Sequence, residues 1–144
     1  MPGHCDLLET NFMYPENWEL SEPVADGDGA TFVLESPGGM FLSVSRYHER
    51  VDYQGVLSQA IEAMTGEYDE IEEEPFASES ALPLESSVEL NFYCQRYLVT
   101  ARLFAIQHGS DTLLIQIQAE SRDFDENEMV FDAMLKSLRD GLSS

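Results

Sequence analysis

Basic residues are the scarcest feature of this chain: seven Lys and Arg face 28 Asp and Glu among 144 residues, and Lys136 is the single lysine. A formal net charge of -21 repels phosphate backbones and anionic headgroups, so neither a nucleic-acid nor a membrane partner is expected. A basic partner stays open, as does an acidic surface kept for solubility, the case in which lysine is rare. Cysteine is nearly as sparse. Cys5 and Cys94 make no disulfide framework, and Cys94 alternates into the apolar side of a strand pattern, where a free thiol behaves as a small hydrophobe. No run approaches the ~18 apolar residues of a membrane span. The opening Met1-Pro2-Gly3-His4-Cys5-Asp6 has no basic region and no apolar stretch, so the expectation is a cytoplasmic protein in a reducing compartment.

Catalytic and ligand-binding signatures are missing as well. His4, His48 and His108 fall in the terminal segment, before a helix and in a turn, with no H-x-x-x-H or C-x-x-C spacing, so no metal site is expected. Gly38-Gly39 and Gly27-Asp28-Gly29 lack the basic residue and helix start of a phosphate loop. Asp26 opens a run similar to a calcium loop, but the sixth position is Thr31 in place of glycine and the twelfth is Pro37 in place of glutamate. Acidic pairs are abundant. With 28 acids such pairs arise by chance and carry no weight for acid–base chemistry. No catalytic residue and no cofactor is expected.

What is present is a strand pattern. A chain of 144 residues with 43% hydrophobic residues can build one core without staples. Val88, Leu90, Phe92 and Cys94 alternate with Glu89, Asn91, Tyr93 and Gln95, and the same period returns in Leu113, Ile115, Ile117 and Ala119. Between them Tyr97 to Gln107 is apolar on both sides, as a central strand is. Gln95-Arg96 and His108-Gly109-Ser110-Asp111 supply the turns. This predicts a three-stranded meander with one apolar face. Earlier in the chain, Asn11 to Tyr14, Ala30 to Glu35 and Met40 to Tyr47 read as strands, and Trp18 beside Pro15-Glu16-Asn17 reads as a plug at one end of the core.

Two helices complete the order. Val56, Leu57, Ala60, Ile61 and Met64 share one helical face between Tyr53 and Met64, with Gly66 in the place of a C-cap. Asp125 and Glu128 have capping-box spacing ahead of Phe131, Met134, Leu135, Leu138 and Leu142. The expected fold is a single α+β domain over residues 1–144, one antiparallel sheet with two helices in the order β-β-β-α-β-β-β-β-α. Residues 1–10 are expected to fray and 75–87 to form a mobile loop. Glu67 to Glu74 holds six carboxylates in eight residues, which fits an edge strand defended by like charge, a site for a basic partner, or, least well, a divalent-cation site.

The candidate site is the outer face of the sheet. Tyr93, Thr100, Arg102, Phe104 and Gln116 are assigned the parity opposite the core, and a mixed aromatic, basic and hydroxyl surface suits a polypeptide or small ligand. The competing reading is that the second helix covers part of this face and makes Phe104 core.

Phe12-Met13-Tyr14-Pro15-Glu16-Asn17-Trp18 resembles the opening aromatic-x-tyrosine-proline-x-x-tryptophan phrase of the PsbP/Mog-like superfamily, including its bacterial DcrB-like branch. Met40 to Ser45 is similar to its second hairpin strand, and Phe131 to Arg139 to its closing helix. The resemblance implies a central antiparallel sheet flanked by helices and used without catalysis to bind partner proteins. Members include an extrinsic photosystem subunit, a Ran-binding import factor and bacterial chaperone-like adaptors that hold hydrophobic segments of secreted effectors. No functional residue carries over. The expected function is therefore a cytoplasmic, non-enzymatic protein-binding or adaptor module; the alternative is a small-ligand carrier or enzyme whose site is assembled from histidines and carboxylates.

Overall fold

The computed structural model describes residues 3–5, 12–21, 24–26, 29–47, 53–68, 70–75, 85–108 and 111–143. Along the chain these form β1 (Gly3–Cys5), β2 (Phe12–Tyr14), β3 (Glu19–Leu20), β4 (Val24–Asp26), β5 (Gly29–Glu35), β6 (Phe41–Tyr47), α1 (Tyr53–Glu67), β7 (Glu72–Pro75), β8 (Glu85–Cys94), β9 (Tyr97–His108), β10 (Asp111–Glu120) and α2 (Ser121–Ser143). The main sheet runs β3-β5-β6-β10-β9-β8-β7, antiparallel throughout, with β4 also paired to β5 and β1 paired to β2 apart from it. The expected order of strands and helices is the observed one, with the two- and three-residue strands added to its first block. His48 lies outside the described residues, as do 76–84 within the expected mobile loop. The ends of that loop are strand: Pro75 closes β7 and Glu85 to Ser87 open β8.

The meander is as expected in extent and corrected in its faces. Val88, Leu90 and Phe92 stand opposite Leu103, Ala101 and Val99 on one face, while Phe104 and Arg102 stand opposite Ile115 and Ile117 on the other. The apolar sides of β8 and β10 therefore point to opposite faces of the sheet. β9, apolar on both sides, lies between them and serves both cores. The first face packs on α1, through Leu57 with Ala60, Ile61 and Met64 beside Leu90, Phe92 and Leu103. The second packs on α2, whose Phe124, Phe131, Met134, Leu135 and Leu138 cover Phe32, Leu34, Leu42, Val44, Phe104 and Ile115. Trp18 closes the end of this larger core, meeting Phe131 edge-on with 5.9 Å between ring centroids. Each fully buried side chain of this size contributes about 1.5–3 kcal/mol.

Both helix ends differ from their sequence signals. The Tyr68 amide still donates to the Met64 carbonyl at 2.9 Å, so the ladder of α1 runs past Gly66, and the reversal is taken at Glu70, with φ of 56°. α2 begins at Ser121, directly after β10, rather than at Asp125. The capping residues sit instead at a break, where Asn127 leaves helical geometry (φ -118°, ψ 15°) and its side-chain amide donates to the Asp123 carbonyl at 2.9 Å. That carbonyl would otherwise accept from the Asn127 backbone. The early start places Phe124 in the core.

Candidate functional site

The five residues assigned to an outer face do not form one surface. Phe104 is 2% exposed and belongs to the core under α2. Gln116 pairs with Ser43 and Leu103 on the α1 side of the sheet, opposite the other four, and its amide donates to Gln118 Oε1 at 2.9 Å. The cause is the split of apolar faces between β8 and β10. A shared two-residue period does not imply a shared face.

Thr100 and Arg102 are adjacent and buried in a polar seam. Arg102 Nε donates to Glu89 Oε1 at 2.9 Å, its Nη2 lies 3.7 Å from Glu128 Oε2, and its guanidinium sits 4.6 Å above the Phe124 ring. Thr100 donates to Asn91 Oδ1 at 2.8 Å and stands 2.7 Å from Ser121 Oγ. With its one proton given to Asn91, Thr100 accepts from Ser121. The Asn91 amide reaches Glu89 Oε2 at 3.5 Å. Two cross-strand pairs, Glu89 with Arg102 and Asn91 with Thr100, are thus chained together and tied to the first turn of α2. Charge-assisted bonds of this kind fix geometry. The seam docks α2 on the sheet and leaves Arg102 little reach towards a partner.

Tyr93 alone of the five is open to solvent. It is 59% exposed, and Tyr97 at 57% and Leu98 at 40% stand beside it, so three of the four exposed large hydrophobics among the described residues share one hairpin. Tyr93 faces Leu98 across the pair. Next to them is a cleft of about 460 Å³ lined by Glu70, Ile71, Glu72, Asn91, Tyr93 and Leu98, with Phe92 at its side. Its position follows from strand lengths. β7 pairs only as far as Glu72 with Asn91, while β8 runs on to Cys94, so among the described residues Phe92 to Cys94 have a neighbouring strand on one side only. Among the described residues, Glu70 and Gln95, at φ of 56° and 61°, are the non-glycine residues in left-handed backbone. One lines the cleft, and the other makes the turn that presents Tyr93 and Leu98.

The electrostatics of the cleft are acidic, with Glu70 and Glu72 at its rim and Glu73 and Glu74 following along β7, all exposed. Behind it, Tyr68 stacks on Phe92 at 4.4 Å between centroids. Burial first, then the charges of Glu67 and Cys94, hold its phenol above the ordinary tyrosine value. Any stability that this neutral phenol provides is present below the unfolded-state value and is lost as pH rises through the folded one. Cys94 is a half-buried free thiol. Among the described residues no three His, Cys, Asp or Glu side chains are grouped to hold a metal ion. A site built around His48 falls outside those residues, as do the side chains of His4 and His108.

Tyr93 was legible as exposed and aromatic; the cleft beside it was not. It depends on where β7 ends relative to β8, and the run of acids from Glu67 gives no mark of that end.

No protein-family model matches the chain, and no curated protein matches it. Among solved structures it is similar to the crystal structure of PA94 from Pseudomonas aeruginosa, described as a protein of unknown function and candidate regulator. The TM-score is 0.53 at 12% identity, over 95% of each chain. The likeness is one of fold. No helix among the described residues is long and apolar enough to cross a membrane.

Proposed function

We propose that this chain is a non-enzymatic, cytoplasmic adaptor that holds an extended segment of another protein in the cleft beside Phe92 to Cys94. The carrying observation is that exposed Tyr93 and Leu98 line a cleft beside Phe92 to Cys94, which among the described residues have no strand paired on the β7 side. An extended segment laid there gains main-chain bonds from the strand and apolar contact from the two side chains. The carboxylates of Glu70 and Glu72 favour a segment carrying Lys or Arg and disfavour an acidic one. The resemblance of the opening phrase and closing helix to the PsbP/Mog-like superfamily supports the same reading, because its members act by binding partners.

The test is capture from native lysate with tagged wild-type protein and with a Tyr93→Ser, Leu98→Ser double variant. Both side chains are exposed, so the variant should unfold at the wild-type temperature. Its affinity for the captured partner should fall about ten-fold or more, in line with the loss of two apolar anchors. A variant that retains the same partner at the same strength sinks the proposal.

A further inference from the structure

The cleft lies at the fork where β7 parts from β8, with Glu70, Ile71 and Glu72 on one wall and Asn91, Phe92 and Tyr93 on the other. The two-residue turn at Gln95-Arg96 makes Cys94 and Tyr97 a hydrogen-bonded pair. By alternation, Glu89, Asn91 and Tyr93 turn their N–H and C=O groups away from β9 and towards this edge. Glu72 stands opposite Asn91 and Glu74 opposite Glu89, whereas Tyr93 has no described strand opposite it on that side. Beyond these backbone bonds little holds β7. Glu72, Glu73 and Glu74 are all exposed, and no ion pair among the described residues includes them. Glu73 stands opposite fully buried Leu90, so a carboxylate occupies the place where an apolar side chain would extend the core under α1. Glu74 opposite Glu89 is a like-charge pair, which works against the strand. The nearest apolar anchor, half-buried Ile71, precedes β7. By the same alternation Pro75, opposite Val88, has no N–H to offer on the outer edge, so a newcomer gains more by replacing β7 than by adding to it.

Taking the cleft as the seat of an extended segment, we infer that β7 is a displaceable cover strand. A partner segment entering at the fork pairs with Tyr93 and goes on to replace β7 along β8 as far as Glu89. It runs in the direction of β7, antiparallel to β8, and sets one residue opposite Leu90 with neighbours opposite Asn91 and Glu89. The first points to the α1 side of the sheet and the two neighbours to the other side. The segment that wins this place is apolar opposite Leu90 and uncharged or basic at the two positions beside it. An acidic segment meets the same penalties as β7. Salt acts on the exchange in a set direction: it screens the repulsion between β7 and Glu89, so β7 holds better at high salt and yields more readily at low salt.

The measurement is residue-resolved hydrogen exchange on the whole protein, with and without a fluorescent peptide of about eight residues in which valine alternates with threonine and lysine. In the free protein the amides of Glu72 and Glu74 should exchange at least ten-fold faster than those of Leu103 and Ile115 in the central strands, and the gap should narrow as salt is added. At saturating peptide they should lose their remaining protection, while the amides of Asn91 and Glu89 keep theirs and that of Tyr93 gains it. By anisotropy, a peptide of the same composition with its valines in one block should bind about ten-fold more weakly. Glu73→Val with Glu74→Thr gives β7 what it lacks, at two exposed positions outside the cleft. This variant should protect the β7 amides and weaken the alternating peptide about ten-fold. The inference is overturned by β7 amides as protected as those of Leu103, by peptide bound with β7 still protected, by no binding of the alternating peptide, or by indifference to the order of its valines. A partner captured from lysate that Tyr93→Ser, Leu98→Ser loses and Glu73→Val, Glu74→Thr binds like wild type also overturns displacement, and leaves the cleft standing. A partner that neither variant weakens removes the cleft and displacement together.

Discussion

Phe131→Ala is expected to destabilise the protein by about 3–5 kcal/mol, the cost of emptying a buried aromatic site whose surroundings relax only in part. Phe131 is 1% exposed. It stacks on Phe124 at 4.9 Å and meets Trp18 at 5.9 Å, so one ring joins α2 to the turn after β2 and to the larger core. The melting temperature should fall by roughly 10–15 °C for a domain of this length. Phe131→Leu, which keeps most of the volume, should cost about 1–2 kcal/mol. Trp18 is the only tryptophan, and its fluorescence in a urea titration reports directly on this contact. A loss below about 1 kcal/mol for the alanine variant would mean that α2 does not depend on this cluster.

The position of Phe131 could be read from the chain, since its spacing to Met134, Leu135 and Leu138 marks one face of a helix. The same holds for the meander: alternation from Val88 to Cys94 and from Leu113 to Ala119, with turn residues between, places the strands nearly at their observed limits. Alternation states that neighbours differ in face. It does not state which face of the sheet each strand buries, and that choice is made by the two helices. The apolar residues of β8 meet α1 and those of β10 meet α2. The mark of this division was the middle strand, apolar on both sides, which a sheet with a single covered face does not need. Read that way, Gln116 separates from Tyr93, and Phe104 joins the core.

The helix starts carry a similar lesson. The helix begins at Ser121, four residues before Asp125, and the capping-box spacing falls instead at the break marked by Asn127. Starting the helix at Asp125 hides Phe124, and with it the ring on which Arg102 rests. The candidate surface was less legible still. The cleft depends on the relative lengths of β7 and β8. The end of one strand relative to its neighbour leaves no local period to detect.

Arg102→Ala is expected to cost about 2–4 kcal/mol of stability, because it strands the Glu89 carboxylate in a nearly buried seam. The side chains of Arg102 and Glu89 are 10% and 19% exposed, whereas Glu128 at 46% is too open to compensate. The alanine also removes the guanidinium from the face of Phe124, a contact whose contribution grows when it is shielded from water. Replacing the whole pair by Arg102→Met and Glu89→Leu should bring stability back to within about 1 kcal/mol of wild type, since two apolar groups of similar shape leave no charge unpaired. Urea titrations of the four members of the cycle measure the coupling, which should exceed about 1 kcal/mol and survive moderate salt, because a buried pair is screened little. Coupling near zero would mean that something other than Glu89 holds the guanidinium. The cycle also tests how the sheet divides its work. If Arg102 serves α2 docking and Tyr93 serves the cleft, the apolar pair should keep the affinity for a captured partner that Tyr93→Ser loses, although the two positions lie on the same face of neighbouring strands.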